Sequence, residues 1–350
     1  MWSSAVSMVE PRTSSRVGPH ELCPVRYRPR VYPRLSASTV ERSPTAKPVE
    51  PRLMRAHHRS MARAQRDSIT LQDGRRLAWH EFGAPDGVPC VYTPGTPASG
   101  LAGGLYHAPA READVRWISV DKPGCGHSDR DPHRSLPGYA ADIAELLDHL
   151  GFERVVAAGE SGGGPHTLAV AHCIPDRLHA TVVVAGLGPA QDPSVRAGMK
   201  RDNRVLITLA QRAPWLLRLQ MRMLARQVRT RPQRWAESMR GRLPDPDQRA
   251  WPLVAHLLVP AAREALQDGG RSAADELVMF TRPWGFDLAD VATPVHLWHG
   301  TEDANVPIAV AEAMRDALPH VDTRFVDGEG HSLGALVRDD LAALVRDVTP

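Results

Sequence analysis

Three side chains with complementary acid–base chemistry lie far apart in the chain: Ser161, Asp303 and His331. A serine hydroxyl is a weak nucleophile until a neighbouring base takes its proton. A histidine base works best when a carboxylate fixes its tautomer and stabilises its positive charge. The order serine, aspartate, histidine is one of those in which such triads occur. We therefore predict that Ser161 attacks, His331 moves the proton and Asp303 orients the histidine.

The nucleophile prediction rests on the sequence Gly-Glu-Ser-Gly-Gly at residues 159–163. The apolar run Val155–Ala158 precedes this motif and a predicted helix, Gly164–Cys173, follows it, which is the strand–turn–helix context that the motif requires. The serine must take a strained backbone conformation, and we expect side chains at positions 159 and 163 to collide with neighbouring backbone. These glycines favour a nucleophile over an ordinary turn.

The predicted base, His331, lies on a loop between the last apolar strand and the final helix, at the carboxyl edge of the predicted sheet. The chain has sixteen histidines, so other candidate bases exist. Those that lie in other loops, in the first helix after the serine or in the N-terminal segment are interpreted as non-catalytic: His57, His58, His127, His133, His166 and His172.

The orienting carboxylate is predicted to be Asp303, just beyond the apolar strand Pro294–Trp298. Glu302 is adjacent but would point the other way from a turn, and Asp192 is the remaining alternative.

The negative charge of a tetrahedral intermediate needs two backbone donors. Gly162 N–H follows the nucleophile and is predicted to be one of them. The other should come from residues 93–97, Thr-Pro-Gly-Thr-Pro, where the prolines have no N–H. Thr96 is therefore the predicted second donor, with Gly95 in reserve.

These residues must be positioned by alternating strands and helices, which predict an α/β fold: a mostly parallel central sheet with helices on both faces. A hairpin, Ser68–Leu71 with Arg76–Phe82, is expected to open the sheet. The helix over Tyr139–Leu150 has apolar positions at helical spacing and should stop at Gly151. The further expected elements are strands at Val88–Tyr92, Val115–Val120, Arg154–Ala158, Ala180–Ala185 and Thr323–Val326, and a helix at Ile308–Leu318.

The chain divides into three parts. Residues 1–66 are basic and rich in Arg, Pro and Ser, with thirteen Lys or Arg against four Glu, and are expected to be disordered. The composition of this segment would also suit a transit peptide. A true start near Met54 or Met61 explains the segment as well as disorder does. Residues 67–188 and 291–350 form the predicted core. Residues 189–290 are predicted to be a helical cap, in which Arg204–Arg229 looks wholly helical and most apolar side chains over residues 215–224 pack against the core.

The composition bears on membrane insertion, on nucleic-acid binding and on the state of the cysteines. The net charge is +3, with 42% hydrophobic and 24% charged residues, and no apolar run is long enough to span a membrane. We expect no nucleic-acid partner, because the basic segment lacks aromatic interleaving. Cys23, Cys90, Cys125 and Cys173 are spread widely and are expected to be free thiols, neither a disulfide scaffold nor a metal site. We predict a cytoplasmic location and leave the oligomeric state open.

Four segments together resemble the α/β-hydrolase superfamily: the motif at 159–163, the Asp-Lys-Pro-Gly-Cys-Gly-His-Ser loop at 121–128, His299-Gly300-x-x-Asp303 and Gly330-His331. The resemblance covers roughly residues 67–188 and 291–350, and implies that the helical insert roofs the active site. One departure is Pro94-Gly95, where the family usually begins its oxyanion loop with His-Gly. Serine at the nucleophile position argues against haloalkane dehalogenase and epoxide hydrolase activity, and the motif lacks the form typical of proline iminopeptidases.

The leading expectation is hydrolysis of a small-molecule carboxylic ester through an acyl-enzyme, with no metal or organic cofactor. Two alternatives stay open: a non-hydrolytic small-molecule sensor, and a cofactor-free lyase or oxygenase on the same fold. The sequence does not reveal the acyl chain length or the leaving group.

Overall fold

The computed structural model describes residues 39–42, 65–190, 193–196 and 198–350. These residues form a nine-stranded sheet with the order β1-β9-β8-β7-β6-β4-β5-β3-β2. The hairpin strands β2 and β3 are antiparallel, and β3 also runs antiparallel to β5; every other neighbouring pair is parallel. The strands are β1 Thr39–Arg42, β2 Gln65–Thr70, β3 Arg76–Gly83, β4 Val88–Thr93, β5 Val115–Val120, β6 Val155–Glu160, β7 Leu178–Val184, β8 Val295–Gly300 and β9 Val321–Asp327.

Thirteen α-helices lie in the described residues: α1 His107–Glu112, α2 Leu136–Leu150, α3 Gly163–Cys173, α4 Pro193–Arg196, α5 Arg201–Arg212, α6 Pro214–Thr230, α7 Pro232–Arg240, α8 Asp245–Gln248, α9 Trp251–Ala265, α10 Arg271–Phe280, α11 Ile308–Ala317, α12 Leu333–Leu336 and α13 Arg338–Asp347. Helices α4 to α10 lie between β7 and β8, within the segment 189–290, which we call the helical insert. Short 3-10 helices occur at Gly100–Tyr106, Pro175–Arg177 and Leu288–Asp290.

The sheet is covered on both faces because side chains alternate along each strand. In β6, Val155 and Ala157 belong to one hydrophobic cluster, together with residues of α2, α3 and α11. Val156 and Ala158 belong to the other, together with residues of α1 and α13. The predicted fold class, a mostly parallel sheet between two layers of helices, is therefore confirmed.

The helical insert departs from the sequence prediction in two ways. The expected continuous helix over Arg204–Arg229 is two helices, because Pro214 begins α6 and the residue before a proline is disfavoured in helical conformation; Ala213 has φ −144° and ψ 62°. The expected packing of most apolar side chains in α6 is also wrong. Leu217 and Met221 are buried within the insert, but the residues on the opposite side of the helix are exposed: Trp215, Leu216, Leu219 and Met223.

Part of the N-terminal segment also differs from the expectation of disorder up to residue 66. Thr39–Arg42 is a strand, and β2 already begins at Gln65. The β9 strand would otherwise present unpaired backbone groups along its outer edge, and Thr39–Arg42 pairs with that edge in parallel register. The rest of residues 1–64 lies outside the described residues.

Two expectations from composition can be compared with the described residues. None of their helices combines the length and apolar character needed to cross a membrane. Cys90 and Cys125 are buried free thiols and Cys173 is also buried, whereas Cys23 lies outside the described residues.

The end of α2 yields a test of local backbone strain. Gly151 has φ +71° and nothing lies within 4 Å of the position that a Cβ would occupy, so replacement by alanine introduces strain without a collision. Gly241, which follows α7 with φ −67°, is the matched control, because it shares the unfolded-state effect of Gly→Ala without that strain. We expect Gly151→Ala to lower the free energy of unfolding by about 1–2 kcal/mol relative to Gly241→Ala, measured by urea denaturation. Equal values for the two variants would contradict this account.

Candidate active site

The turn at residues 159–163 joins the carboxyl end of β6 to the first turn of α3. Ser161 has φ +52°, in the left-handed region that side-chain-bearing residues rarely adopt. Its N–H donates to the Val184 carbonyl of β7 at 3.0 Å, and its own carbonyl accepts from Leu187 N–H at 3.0 Å. These two hydrogen bonds fix the strained residue to the neighbouring strand and the loop after it.

The glycines of the turn are required by close approaches. A Cβ at position 159 would lie 2.1 Å from Thr167 Oγ1, and one at position 163 would lie 2.0 Å from the Thr93 carbonyl oxygen. Both distances are far inside van der Waals contact. The collisions expected from the sequence are therefore present in the structure, and they involve the following helix and the end of β4.

The structure brings together the three side chains that the sequence analysis singled out. His331 lies between β9 and α12, with Nε2 2.9 Å from Ser161 Oγ and Nδ1 2.8 Å from Asp303 Oδ2. Asp303 Oδ1 accepts from the backbone N–H groups of Asn305 and Val306, each at 2.8 Å. One carboxylate oxygen thus anchors the side chain while the other faces the histidine.

Two of these groups have displaced pKa values. Burial by itself would raise the pKa of Asp303, but the positive charge of His331 and the hydrogen bond to it outweigh burial and lower that pKa. Burial would lower the pKa of His331, but the carboxylates of Asp303, Asp247 and Glu160 outweigh it and raise the pKa to about 9. The ionised state of Asp303 and the charged state of His331 therefore stabilise each other.

Backbone donors lie beside Ser161. A Cβ on Gly162 would lie 3.3 Å from Thr96 N, and one on Gly95 would lie 3.2 Å from Ser161 Cβ. The loop after β4 is therefore packed directly against the serine. Within the described residues, neither Thr96 N–H nor Gly162 N–H donates to a protein acceptor. Both are available to a negatively charged oxygen.

The alternatives considered from sequence lie elsewhere. Glu302 is exposed, whereas its neighbour Asp303 is buried beside His331. His166 is buried behind the serine, with Nδ1 3.0 Å from the Gly162 carbonyl oxygen, and His172 stacks on Phe286. His127 accepts from Arg66, and His133 N–H donates to Asp131. Asp192, His57 and His58 lie outside the described residues.

The sequence analysis missed three charged residues around the site. Glu160 has no predicted role beyond its place in the motif at 159–163, yet its carboxylate accepts a hydrogen bond from the Tyr92 hydroxyl at 2.8 Å. Asp247 of α8 accepts from Ser332 N–H at 2.6 Å, beside His331. Lys122 is fully buried against the loop after β4. Lys122 follows the carboxyl end of a strand, and this position could have indicated that it lies near the site. No signal in the neighbouring sequence indicated Asp247, because it comes from the helical insert.

One further group of side chains has the chemistry to hold a metal ion. His80 Nε2 lies 3.8 Å from an oxygen of both Asp121 and Glu264. Both carboxylates have other partners: Asp121 accepts from two backbone N–H groups, and Glu264 accepts from the Ser99 hydroxyl at 2.9 Å. These residues are separate from Ser161, Asp303 and His331, and they tie the helical insert to the core.

A family model described as the alpha/beta hydrolase fold matches residues 99–334. The chain belongs to this family. The match includes Ser161, Asp303 and His331 but begins after the loop that carries Thr96.

Individual relatives of this α/β-hydrolase are distant. The acetyltransferase component of an acetoin cleaving system from Pseudomonas putida is 37% identical over 120 residues, which cover 33% of this chain and 32% of that protein. The chain thus spans about a third of that relative. A candidate carbamate hydrolase of Azorhizobium caulinodans is 26% identical, covering 71% of this chain and 89% of the relative. The esterase of Thermogutta terrifontis has a similar structure, with a TM-score of 0.59, 24% identity, and coverage of 81% of this chain and 97% of that one.

The charge distribution around His331 in this α/β-hydrolase yields a pH prediction. We expect a titration of selectively ¹⁵N-labelled histidine, followed by NMR, to give His331 a pKa of about 9. Asp247→Asn should lower that pKa, because an amide keeps the acceptor for Ser332 N–H but removes the negative charge. Since the folded-state pKa exceeds the ordinary histidine value of about 6.5, protonated His331 stabilises the fold below pH 6.5, and this contribution is lost as pH rises through about 9.

Asp245→Asn is the matched control for Asp247→Asn, because Asp245 is an exposed residue of the same helix α8. We expect it to leave the His331 titration unchanged. An unshifted midpoint in Asp247→Asn, or equal shifts in both variants, would refute the role given to Asp247.

Proposed function

We propose that the chain is a serine hydrolase that cleaves a small-molecule carboxylic ester through an acyl-enzyme intermediate. The observation that carries this proposal is the continuous hydrogen-bonded series from Ser161 Oγ through His331 to Asp303, at 2.9 and 2.8 Å. A nucleophile within hydrogen-bond reach of a base that is itself oriented by a carboxylate is the arrangement that covalent acyl transfer requires.

In the first half of the reaction, which requires the neutral form of His331, Ser161 Oγ attacks the ester carbonyl carbon and its proton passes to His331 Nε2. The carbonyl π electrons move onto oxygen and form a tetrahedral oxyanion. The C–O bond to the alcohol then breaks, and His331 gives its proton to the departing oxygen. The products of this half are a free alcohol and an acyl group on Ser161.

In the second half, water takes the place of the alcohol. His331 Nε2 removes one proton as the water oxygen attacks the acyl carbon, and a second tetrahedral oxyanion forms. Its collapse breaks the bond to Ser161 Oγ, which recovers the proton from His331. The carboxylic acid leaves, and Asp303 stays ionised throughout, where it stabilises the positive charge that appears on His331 in each half.

Thr96 N–H and Gly162 N–H are proposed to stabilise both oxyanions. Their lack of protein acceptors supports this role, since a backbone donor that faces a ligand site need not pair internally. Gly162 precedes α3, so the positive end of that helix adds to the favourable potential. The nucleophile, the base and the oxyanion donors of every step all belong to this chain. No step requires a metal or an organic cofactor.

The helical insert, residues 189–290, is proposed to be the cap that limits access to Ser161. The hydrogen bond from Ser332 N–H to Asp247 supports this placement, because it joins α8 directly to the His331 loop. The similarity to a candidate carbamate hydrolase makes carbamates a second substrate class to examine. Attack on a carbamate carbonyl uses the same nucleophile, base and donors.

Replacement of the nucleophile tests the proposal. Wild type is expected to cleave p-nitrophenyl esters in a panel of increasing acyl length and to be labelled by a fluorophosphonate. Ser161→Ala should lose the label, and its kcat should fall by at least about a thousandfold, because removal of the nucleophile removes the covalent route. Labelling is followed by in-gel fluorescence and mass spectrometry. A matching carbamate panel identifies the preferred acyl group.

Ser332→Ala is the control, since Ser332 lies next to His331 and its hydrogen bonds to Asp247 and Ala335 both use backbone atoms, which alanine keeps. It should retain label and turnover. Full ester turnover by Ser161→Ala would overturn the proposal. Tight small-molecule binding by an unlabelled wild type would favour a sensor, and a product other than acid and alcohol would favour lyase or oxygenase chemistry.

A further inference from the structure

The loop that carries Thr96 has few ways to support itself. Pro94 and Pro97 have no N–H, and Thr96 N–H is left free for the oxyanion. Inside the loop, Ala98 N–H donates to the Gly95 carbonyl oxygen at 3.1 Å. The position of the oxyanion donor therefore depends on contacts from outside the loop.

Lys122 supplies these contacts. Its Nζ donates to the Pro94 carbonyl at 2.9 Å, to the Gly95 carbonyl at 3.0 Å and to Thr96 Oγ1 at 3.1 Å. An ammonium group has three N–H bonds to donate, and three of the acceptors within reach of Lys122 Nζ belong to this loop. The side chain is 0% exposed, which makes its hydrogen bonds strong and its charge costly to bury.

The compensating charge comes from the helical insert. Glu276 of α10 is also 0% exposed, and its Oε1 lies 2.8 Å from Lys122 Nζ. Burial alone would raise the pKa of Glu276, but Lys122 and Arg134 outweigh it and lower that pKa, so the carboxylate is ionised. Arg134 Nη2 lies farther from the same oxygen, at 3.7 Å. Lys122 is thus neutralised by one residue, which belongs to the insert and not to the sheet.

A second contact reaches the other oxyanion donor. His166 Nδ1 lies 3.0 Å from the Gly162 carbonyl oxygen, so that nitrogen carries a proton, and Nε2 lies 3.6 Å from Glu276 Oε1. Burial lowers the pKa of His166 to about 3 despite the favourable charge of Glu276, so the ring is neutral and the contact is packing rather than an ion pair.

We propose that Glu276 and Lys122 are positioning residues of the oxyanion hole, through which the helical insert holds the Thr96 loop in its donating geometry. This inference rests on the proposed serine hydrolase function. Without the Glu276 charge, Lys122 is left as a buried cation without a counter-charge, a state that is costly and that favours entry of water into the loop. The loop then loses hydrogen bonds, and Thr96 N is no longer held close to Gly162. In the structure this nitrogen lies 3.3 Å from the position that a Cβ on Gly162 would occupy.

Glu276→Gln tests the proposal, because it keeps size and shape but removes the charge. We expect kcat to fall roughly 10- to 100-fold with KM nearly unchanged, since oxyanion donors act mainly in the transition state and outright removal of one costs roughly 10²–10³. The affinity for a trifluoromethyl ketone, which forms a tetrahedral adduct, should fall by the same factor as kcat/KM. Glu276→Asp should recover part of the loss.

The matched control is Asp275→Asn, one position away in α10. Asp275 pairs with Arg130 at 2.6 Å and with Arg218 at 2.9 Å and has no contact with the loop after β4. A structural role for the ion pairs of α10 would lower the midpoint of thermal unfolding in both variants. The proposal requires that only Glu276→Gln loses kcat; equal kcat losses in both variants, or a change in KM alone, would overturn it.

Lys122→Met and the double variant Lys122→Met/Glu276→Gln separate positioning from folding. The double variant removes both charges of the buried Lys122–Glu276 pair, so it is expected to fold even if Glu276→Gln does not. Its kcat should match that of Lys122→Met, because both residues act through one set of hydrogen bonds. A double variant with the wild-type kcat, or with the product of the two single losses, would refute the mechanism.

Hydrogen exchange of the peptide that contains Thr96, followed by mass spectrometry, gives a readout that needs no substrate. Exchange should increase in Glu276→Gln and not in Asp275→Asn. Wild type that neither cleaves the ester panel nor takes the fluorophosphonate would count against the proposed function alone. In that case the exchange experiment decides the positioning role, and unchanged exchange in Glu276→Gln would reject it.

Discussion

The left-handed conformation of Ser161 is the constraint on which the rest of the site depends. A residue with φ +52° between a parallel strand and a helix is costly unless its surroundings fix it. Here β7 and its following loop hydrogen-bond both sides of the residue, while α3 and the end of β4 approach so closely that positions 159 and 163 admit only glycine. The same close approach brings the loop after β4 against the serine. The strain and the placement of the proposed oxyanion donors are therefore two consequences of one packing arrangement.

Buried charge is the second organising feature. Asp303, Asp247 and Glu160 surround His331 and hold its pKa high, and Glu276 faces Lys122. Each carboxylate costs free energy to bury, and each has polar partners: a cation, backbone N–H groups or, for Glu160, the hydroxyls of Tyr92 and Tyr106. Asp303 has both kinds of partner, which explains why its own pKa stays low. The surplus of negative charge favours a protonated His331, the state that follows attack by the serine in the proposed mechanism.

Local sequence signals predicted the parts of the molecule that local physics determines. Strand alternation, the glycines at 159 and 163, and the left-handed Gly151 after α2 gave the fold class, the turn and a helix end. The break before Pro214 was missed because apolar spacing continues across it. Thr39–Arg42 was missed because its pairing with β9 is a tertiary interaction within a segment of disordered composition. For the same reason the roles of Asp247 and Glu276 could not be predicted. Helical periodicity in an insert does not indicate which polar residue contacts the core.

These last two residues bear on how an insert of this kind relates to the site beneath it. A cap that only covered the nucleophile could vary freely in sequence, because apolar packing tolerates exchange of one side chain for another of similar size. An insert that supplies the counter-charge for Lys122 and an acceptor beside His331 has less freedom, because loss of either carboxylate leaves a buried group unpaired in the core. The exposed side of α6 carries no such constraint toward the core. The rest of the insert can therefore vary more freely, whereas positions 247 and 276 are constrained by their contacts with groups at the sheet's carboxyl edge.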